Sequence, residues 1–507
     1  MKNIVIGLAT AALLLLSSCE DYLDVNQNPN EATAATPELV LPSVLQGIAT
    51  RANVDVNTDF PQFMGYWSHA DGWSGWFDIK QYLITTNNQQ GFFNTPYSGY
   101  LMDIAFMEKN ATGPLDQNYV AIAKILKSYV YQQLVDAYGD VPYTQANTGI
   151  AAPVYDDGQA VYDSLVLNLD AAVALIDANP DANAPGGDFM FNGDMELWKK
   201  FANTLKLKIL LRQAYVDGFA PPSTAVMDAM EFLDVDARFN PGYSATNMSP
   251  YYATYGFTAT GALTNARTQF VMNAYIEGVY NALNDTRKFV TFDPAISNGI
   301  YHGKPFGFEG DGSSNLYNKD NGNLIGSGLV KKDVTATQGA LIMSKFESLF
   351  LQAEAAERGW ITTATAKSLY ESAVNASFAF LGIADSAADY MAQDLEGVQY
   401  DLAPVKLDLI INQKYIAFCG VSGFEAWCEY RRTGLPDVKE SDATASMLSY
   451  YAGIGRREIP HLLYYPQREF NLNKVNTPAA AASNYGKAQD ASYHWDARVF
   501  WDVTPVK

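Results

Sequence analysis

Aromatic rings and polar side chains alternate in one short segment of the 507-residue chain, between positions 67 and 82. A sugar ring has an apolar face of C–H groups and a rim of hydroxyls. Proteins hold such a ring by stacking an aromatic side chain on the face and directing polar groups at the rim. The segment supplies stacking candidates and polar candidates, which are Trp67, Trp73, Trp76, Phe77 and Tyr82, and Asp71, Asp78 and Lys80. Alternatively, these rings fasten a long loop to its scaffold or contact a partner protein.

Two further segments have a similar composition. One supplies Tyr301 as a stacking candidate and His302 as a polar candidate, followed by Lys304, Phe306, Phe308 and Tyr317. The other is rich in tyrosine and contains Tyr243, Tyr251, Tyr252 and Tyr255. Any of these segments could instead form the core of a loop. The sequence therefore predicts the kind of site without selecting the loop that forms it.

Catalytic signatures are weak. The sequence has no His-Glu-x-x-His and no Gly-x-Ser-x-Gly, and residues 299–304 depart from a phosphate-binding loop in spacing and in the residue that follows. Four histidines scattered from 69 to 494 do not predict a zinc site. A glycosidase pair of carboxylates cannot be identified from spacing in sequence, so a surface glycoside hydrolase is the alternative from another class. We expect no catalytic residues, no metal and no cofactor.

Two smaller features have alternatives of their own. Cys419 and Cys428 are predicted to be buried apolar groups, although export would permit a disulfide between them. The Asp and Asn residues between 311 and 323 could ligate calcium, but their spacing departs from the EF-hand pattern and a solvated loop is favoured.

Composition limits the classes of function further. The chain carries 34 Lys+Arg against 55 Asp+Glu, a net charge of −21, which disfavours nucleic acid because phosphate binding relies on cationic side chains. Apolar residues make up 48% of the chain, enough for a large core, and aromatic residues reach 13%. A globular protein rich in aromatic residues is indicated.

The N-terminus predicts the location. A basic start, an apolar stretch from Ile4 to Leu16 and the small residues Ser17 and Ser18 form a secretory signal that is too short to span a bilayer. Leu16 to Cys19 resembles a bacterial lipobox, in which the cysteine is acylated and becomes the mature N-terminus. We therefore assign residues 1–18 to a lipoprotein signal peptide and 19–36 to a lipidated tether. The lipid at Cys19 anchors the protein to a membrane.

Helices must position the candidate loops. Apolar residues recur at spacings of three and four over 120–138, 159–178, 195–216, 338–358, 363–382 and about 404–418, with another helix from about Pro37. Gly139, followed by Pro142, predicts the end of one helix. Residues 234–335 are dominated by Gly, Asn, Asp, Tyr and Phe, with helical periodicity only near 267–284, and read as a loop-rich insertion. We assign 37–507 to a single domain that includes this insertion at about 234–335.

The helices also fall into pairs of about 40 residues, as at 341–381, with alanines that allow close packing. Such pairs resemble tetratricopeptide organisation, and periodicity alone fits an irregular helical domain equally well. Glu425, Glu429, Arg431 and Arg432, close together on a short helix, predict a structural ion-pair network in preference to a catalytic one.

Several motifs, in order from residue 19 to about 475, resemble the SusD/RagB family of outer-membrane nutrient-binding lipoproteins. They are the lipobox with Asn28-Pro29-Asn30, the stretches 136–143, 346–355 and 413–418, Glu425-Ala426-Trp427 with Arg431 to Gly434, and 464–469 before Asn471 and Asn473. The aromatic Phe500-Trp501-Asp502 is similar to one branch of that family. The resemblance implies a mostly α fold, a tetratricopeptide-like helical scaffold with long irregular ligand-binding loops and insertions.

The resemblance also implies a function. It suggests a lipoprotein of the cell outer membrane, facing the exterior, that binds oligosaccharide and passes it to a SusC-like TonB-dependent transporter. A peptide receptor of the same uptake architecture, a surface glycoside hydrolase and a purely structural partner are the alternatives. The acidic Glu20 and Asp21 after Cys19 resemble a surface-export signal of Bacteroidota lipoproteins.

Overall fold

The computed structural model describes residues 35–73, 75, 77–182, 184–308, 315–438, 447–449, 459–485 and 497–503. Helices dominate this part of the chain. They are α1 (Pro37–Asn53), α2 (Phe60–Phe63), α3 (Phe77–Lys80), α4 (Gln90–Ser98), α5 (Tyr100–Asn110), α6 (Gln117–Tyr138), α7 (Gly158–Ala178), α8 (Met195–Arg212), α9 (Thr224–Asp228), α10 (Pro250–Tyr255), α11 (Asn265–Gln269), α12 (Ala274–Ala282), α13 (Lys288–Thr291), α14 (Lys345–Glu357), α15 (Ala366–Phe380), α16 (Ser386–Met391), α17 (Lys406–Ala417), α18 (Gly423–Thr433), α19 (Gln467–Leu472) and α20 (Asn476–Tyr485). The strands are β1 (Trp67–His69), β2 (Ala237–Phe239), β3 (Phe270–Met272) and β4 (Ala340–Met343).

Helical hairpins make up the scaffold. Tyr162, near the start of α7, donates a hydrogen bond to Asp136, near the end of α6. Asn118, near the start of α6, lines the same surface cleft as Ile176, near the end of α7. The two helices are therefore antiparallel, and α14 and α15 pack together as a second pair. The predicted mostly α fold with tetratricopeptide-like pairs is confirmed.

Local signals set where these helices begin and end. The side chains of Asp157, Ser344 and Thr365 accept hydrogen bonds from backbone N–H groups in the first turns of α7, α14 and α15. Those N–H groups have no partner within the helix, so each cap stabilises its helix start. Gly139 follows the last residue of α6 with a φ of 78°, a conformation that favours glycine, and the predicted stop at this position is confirmed.

Three predicted helices are shorter than their periodicity suggested. The helix expected over 195–216 ends at Arg212, the region 267–284 is divided by β3, and the helix expected from 338 begins only after β4. In the last two cases the missing turns are strands, because β3 pairs with β1 and β4 pairs with β2. A strand paired with a distant segment leaves no mark on local helical periodicity.

The insertion at about 234–335 packs against the first aromatic segment. Strand β1 pairs antiparallel with β3, with Trp67 opposite Met272 and His69 opposite Phe270. Within the described part of this insertion no helix exceeds nine residues, as its composition predicted. The assignment of residues 37–507 to one domain stays a prediction.

Ten charged side chains form one connected network inside the scaffold, which we call the ionic core. Its cations and carboxylates are Lys208, Arg212, Arg358, Lys414 and Arg432, and Asp136, Glu347, Glu354, Glu425 and Glu429. All except Arg358 are buried. Five positive and five negative groups compensate one another, which is the condition under which charges can be buried. The predicted structural role of Glu425, Glu429 and Arg432 is confirmed, whereas Arg431 instead stacks on Trp427, with 3.4 Å between the guanidinium carbon and the ring centre.

A distant segment closes the ionic core. Trp501 is fully buried, and its Nε1 donates a hydrogen bond to Asp136 Oδ1 at 2.9 Å. Its ring also lies 4.7 Å from the guanidinium carbon of Arg431. The next residue, Asp502, lies 2.7 Å from His461 Nδ1 and so fastens the same segment a second time.

Two further predictions concern buried groups. Cys419 and Cys428 are free thiols in buried positions, as expected of small apolar groups. Among the described helices, α7 has the length and apolar composition that could cross a membrane. It packs instead against α6 and α8 as a helix of the scaffold.

Candidate ligand-binding site

Two loops that the sequence presents separately meet beside the β1–β3 ribbon. After β1, the backbone N–H of Ala70 donates to the Gln269 carbonyl, and that of Asp71 donates to the Tyr317 carbonyl. Lys304 in turn donates from its backbone N–H to the carbonyl of Met272, the last residue of β3. The first aromatic segment and the Tyr301–Tyr317 segment therefore share one surface.

An ion pair between the buried Lys304 and the partly buried Asp71 joins these loops. The Lys304 ammonium donates to Asp71 Oδ1 at 2.6 Å and to the His69 carbonyl at 2.9 Å. The second carboxylate oxygen of Asp71 accepts a hydrogen bond from the Tyr317 backbone N–H at 3.0 Å. Both oxygens of Asp71 are thus engaged by the protein.

Four rings that meet at or near Tyr317 form what we call the aromatic site: Trp73, His302, Phe308 and Tyr317. The His302 and Tyr317 rings are stacked, with 5.4 Å between their centres and 22° between their planes. The Phe308 ring meets Tyr317 edge-on at 6.4 Å, and Trp73 packs against the same small cluster. His302 is exposed, Trp73 and Phe308 are partly buried, and Tyr317 is 7% exposed.

Protonation in the aromatic site follows from its surroundings. Burial and the nearby carboxylates of Asp71 and Glu277 raise the pKa of Tyr317, so its hydroxyl keeps its proton at neutral pH. That hydroxyl lies 2.9 Å from His302 Nε2. Burial, with the ammonium groups of Lys80 and Lys304, lowers the pKa of His69 to about 4, so this buried imidazole is uncharged. Among the described residues, the site therefore offers rings and hydrogen-bonding groups beside a compensated Asp71–Lys304 pair.

Several sequence candidates lie in the core instead. Trp67 is fully buried between Tyr255 and Phe270, with ring centres 5.3 Å apart in both contacts. Tyr82 is also fully buried, and its hydroxyl accepts a hydrogen bond from the Ser449 backbone N–H. These two rings present no face to a ligand in this structure, because both pack in the core. Their predicted stacking role is therefore corrected to one in packing.

The other polar candidates of the first segment, Lys80 and Asp78, differ in their exposure. Lys80 is 5% exposed, so its side chain is buried, and its carbonyl accepts a hydrogen bond from the Ser449 hydroxyl. This burial removes Lys80 from the groups that could reach a ligand. Asp78 is exposed on α3. Trp76 and the side chain of Phe77 lie outside the described residues.

Tyr301 belongs to a neighbouring surface. Its ring meets Phe289 edge-on at 5.1 Å, and its hydroxyl lies 3.4 Å from the Phe292 carbonyl, to which it donates. The Lys288 ammonium lies 5.4 Å from the centre of the Tyr301 ring. Although Tyr301 directly precedes His302 in the chain, it contributes to this adjoining patch and makes no ring contact with Tyr317 among those described.

The tyrosine-rich segment fastens the insertion to the scaffold. The hydroxyls of Tyr251 and Tyr255 donate to the carbonyls of Gly420 and Asn57, at 2.7 and 2.8 Å. Tyr243 donates to the side chain of Gln46. Since these hydroxyls are used within the protein, the segment reads as loop core.

Two residues that the sequence did not predict as part of this site shape it: Asn323, which was considered only as a calcium ligand, and Glu277. The buried Asn323 accepts a hydrogen bond from the His302 backbone N–H at 2.7 Å, and its amide donates to the carbonyls of Asp293 and Ile300. Glu277 accepts from the backbone N–H of Gly303 at 2.7 Å. Neither residue has a local sequence signal, because their partners lie more than twenty positions away.

Within the described residues, no group of three or more His, Cys, Asp or Glu side chains is placed to hold a metal ion. In the loop considered for calcium, Asn318 Oδ1 accepts hydrogen bonds from the backbone N–H groups of Asp320 and Asn321. Asp320 pairs with Lys319 at 2.7 Å. Asp311 lies outside the described residues.

Comparison with known proteins places this geometry in context. A SusD-like family model, described as starch-binding associating with outer membrane, matches residues 29–466. No curated protein sequence matches the chain.

Solved structures share the fold. A chitin-binding SusD homologue from Flavobacterium johnsoniae is 23% identical with a TM-score of 0.71, and the match covers 92% of this chain and 99% of that one. A SusD homologue from Bacteroides fragilis is 21% identical with a TM-score of 0.71, over 92% and 99% of the two chains. One from Bacteroides vulgatus is 20% identical with a TM-score of 0.72, over 93% and 98%.

Proposed function

Because the chain belongs to the SusD-like family, whose description is starch-binding associating with outer membrane, we propose that it binds oligosaccharide at the aromatic site and delivers it to a TonB-dependent transporter. In this proposal it is a lipoprotein held in the outer membrane through Cys19, with the aromatic site facing the exterior. Binding takes place without cleavage of the glycan.

The observation that carries the proposal is the convergence of Trp73 with the stacked His302–Tyr317 pair on one surface. Rings at the surface supply apolar faces for sugar C–H groups, and the exposed His302 imidazole supplies a partner for sugar hydroxyls. An exposed site of this kind yields modest affinity, in the micromolar to millimolar range, because binding must offset the lost freedom of a flexible ligand.

The state of Asp71 favours binding over hydrolysis. A glycosidase needs one carboxyl group to protonate the leaving oxygen and another to attack or to activate water. Asp71 is a carboxylate that contacts both aromatic loops, and both its oxygens are taken by Lys304 and the Tyr317 backbone. It is therefore poorly placed to act on a glycosidic bond.

Binding is tested on the purified mature protein with a glycan array and a peptide library, followed by calorimetry with maltoheptaose and chitohexaose. Trp73→Ala should weaken binding of the responding glycan at least tenfold, about 1.4 kcal/mol or more, as expected for truncation of a central aromatic contact. Trp360→Ala is the matched control, because Trp360 is likewise partly buried but packs against Phe219 in a separate cluster. Binding to members of the peptide library, with no signal on the glycan array, would favour a peptide receptor instead. Release of shortened glycans at enzyme-like rates would favour the hydrolase.

Delivery is tested through the partner. A receptor tethered beside its channel gains effective concentration from confinement, so weak mutual affinity is sufficient. Gentle detergent extraction of membranes should yield a complex of this protein with a large β-barrel transporter. Recovery of the free lipoprotein alone, under conditions that preserve related complexes, would contradict the proposed delivery.

A further inference from the structure

The geometry points to Lys304 as a positioning residue, which holds the two halves of the aromatic site in register without contacting the ligand. This inference rests on the proposed function of that site. Lys304 is 2% exposed, and its ammonium is directed at protein groups, namely the Asp71 carboxylate at 2.6 Å and the His69 carbonyl at 2.9 Å. It also lies 5.9 Å from the centre of the Tyr317 ring.

The backbone of Lys304 is fixed independently of its side chain. Its carbonyl accepts hydrogen bonds from the Ser68 hydroxyl at 2.7 Å and from the Ala274 backbone N–H at 3.1 Å. Its own N–H donates to the Met272 carbonyl at 2.8 Å. Trimming the side chain therefore leaves these attachments to β1 and β3 in place and removes only the links made by the ammonium.

Those links continue from Asp71 to the stacked pair. Asp71 is bound to Tyr317 twice, through its backbone N–H to the Tyr317 carbonyl at 3.0 Å and through its carboxylate to the Tyr317 N–H at 3.0 Å. Tyr317 then stacks on His302. The Lys304 ammonium thus fixes the position of the Asp71 carboxylate, which in turn orients the Tyr317 ring.

The same carboxylate sets the position of Trp73. Only Gly72 separates Trp73 from Asp71, and Gly72 has a φ of 86°, so the turn depends on a residue with little conformational restriction of its own. A flexible turn fixed at one side by an ion pair explains how Trp73 is brought to the cluster that contains Tyr317. Loss of the ammonium would free this turn and weaken binding, because a site that must be ordered on binding has lower affinity than a preorganised one.

The test compares Lys304→Met, which keeps the length and loses the charge, with Lys304→Arg, which keeps the charge. Lys206→Met is the matched control. Lys206 is also a buried lysine paired with one aspartate, Asp170, at 2.5 Å, but it lies on α8. The readout needs no ligand: it is the acrylamide quenching of Trp73 fluorescence, obtained as the difference between each protein and the same protein carrying Trp73→Phe.

We expect Lys304→Met to raise the quenching constant of Trp73 at least twofold, Lys304→Arg to restore most of the native value, and Lys206→Met to leave it unchanged. Affinity for maltoheptaose or chitohexaose, whichever the native protein binds, should fall at least tenfold in Lys304→Met and recover in Lys304→Arg. If Lys304→Met fails to fold, Asp71→Asn reports on the same link, since it keeps the shape of the side chain and removes the charge that the ammonium holds.

Unchanged quenching in the folded Lys304→Met and Asp71→Asn proteins would overturn the positioning role, as would a Lys304→Arg protein that behaves like Lys304→Met. This result is separable from failure of the proposed function. A native protein that binds no glycan would defeat the proposed function, while the quenching experiment would still decide whether Lys304 holds Trp73.

Discussion

Arg432 donates four hydrogen bonds to carboxylates of the ionic core, and its replacement by methionine is a direct test of how that core stabilises the fold. Its guanidinium binds Glu354 through two hydrogen bonds of 2.8 Å and reaches both oxygens of Glu429, the closer at 2.6 Å. Methionine has no charge and ends two atoms short of the guanidinium nitrogens, so Arg432→Met removes the electrostatic partner and keeps only the apolar part of the side chain.

The expected loss of stability depends on the partners that Glu354 and Glu429 keep in Arg432→Met. Glu354 keeps its contact with Arg358, and Glu429 keeps Arg212 and Lys414, but each loses a charge-assisted partner in a buried position. Removal of one partner from a buried ion pair costs about 3–5 kcal/mol. That loss is a large fraction of the roughly 5–15 kcal/mol by which domains are stable. We therefore expect Arg432→Met to unfold at a much lower urea concentration.

The assay is urea unfolding followed by far-UV circular dichroism at pH 7 and at pH 3. Burial acts to raise the pKa of Glu354 and of Glu429, but neighbouring cations, Arg432 first among them, outweigh it and hold both pKa values below the ordinary range. A carboxyl group whose folded pKa is depressed contributes stability above its unfolded pKa of about 4.3, and that contribution is lost as the pH falls. The difference between native protein and Arg432→Met should therefore be large at pH 7 and smaller at pH 3.

Lys367→Met serves as the control, because Lys367 pairs with Asp401 at the exposed surface and should show no measurable change. A loss below about 1 kcal/mol for Arg432→Met, or an equal loss at the two pH values, would refute the assigned role of the charges. The stability of Arg432→Lys should fall between those of the native protein and Arg432→Met, since lysine keeps the charge but cannot form the bidentate contact with Glu354.

Three further predictions concern other parts of the molecule. Burial raises the pKa of Asp59 to about 7 against the opposing hydrogen bond from Gln89, so ionisation of this carboxyl group destabilises the folded protein as the pH rises from about 4 to 7. In urea unfolding, Asp59→Asn should therefore be more stable than the native protein at pH 8 but not at pH 4. An equal gain in stability at both pH values would contradict the raised pKa. Cys19→Ser should keep the thermal midpoint and leave the membrane fraction, because the anchor is lost with the acyl chains; protein retained after a high-salt wash would disprove lipid attachment. The Lys304 ammonium is held by Asp71 and the chain carries a net charge of −21, so calorimetry at 0.15 M salt should show maltoheptaose binding more tightly than sulfated maltoheptaose. The difference between the two affinities should be smaller at 1 M salt, because salt screens the repulsion. Tighter binding of the sulfated sugar would be evidence against a site for neutral glycans.

The helical scaffold was accessible from sequence because its signals are local. The periodicity of α6 and α7 and the glycine after α6 lie within a few turns of one another. The charged residues of α18 likewise predicted a structural network, although their partners on α8 and α14 could not be identified from sequence.

The aromatic site was only partly predictable because composition does not distinguish a buried ring from an accessible one. Trp67 and Trp73 are six positions apart with similar neighbours, yet Trp67 is fully buried in a strand and Trp73 is partly buried in the aromatic site. The difference arises from the pairing of β1 with β3 and from the Asp71–Lys304 contact, which joins positions 233 residues apart. No local pattern encodes contacts of that range.

The hydrogen bond between Trp501 and Asp136 joins residues 365 positions apart, and this separation has a consequence for biosynthesis. Chains are synthesised at about 5–20 residues per second, so the indole emerges roughly 20–70 seconds after the aspartate that it completes. Glu425, Glu429 and Arg432 of α18 also arrive late, nearly 300 residues after Asp136. Arg212, the cation that pairs with Asp136, emerges 76 residues after it, but Arg212 itself precedes its partners Glu425 and Glu429 by 213 and 217 residues. That delay keeps the polypeptide from completing its native interior early, which is compatible with the export that the proposed function requires.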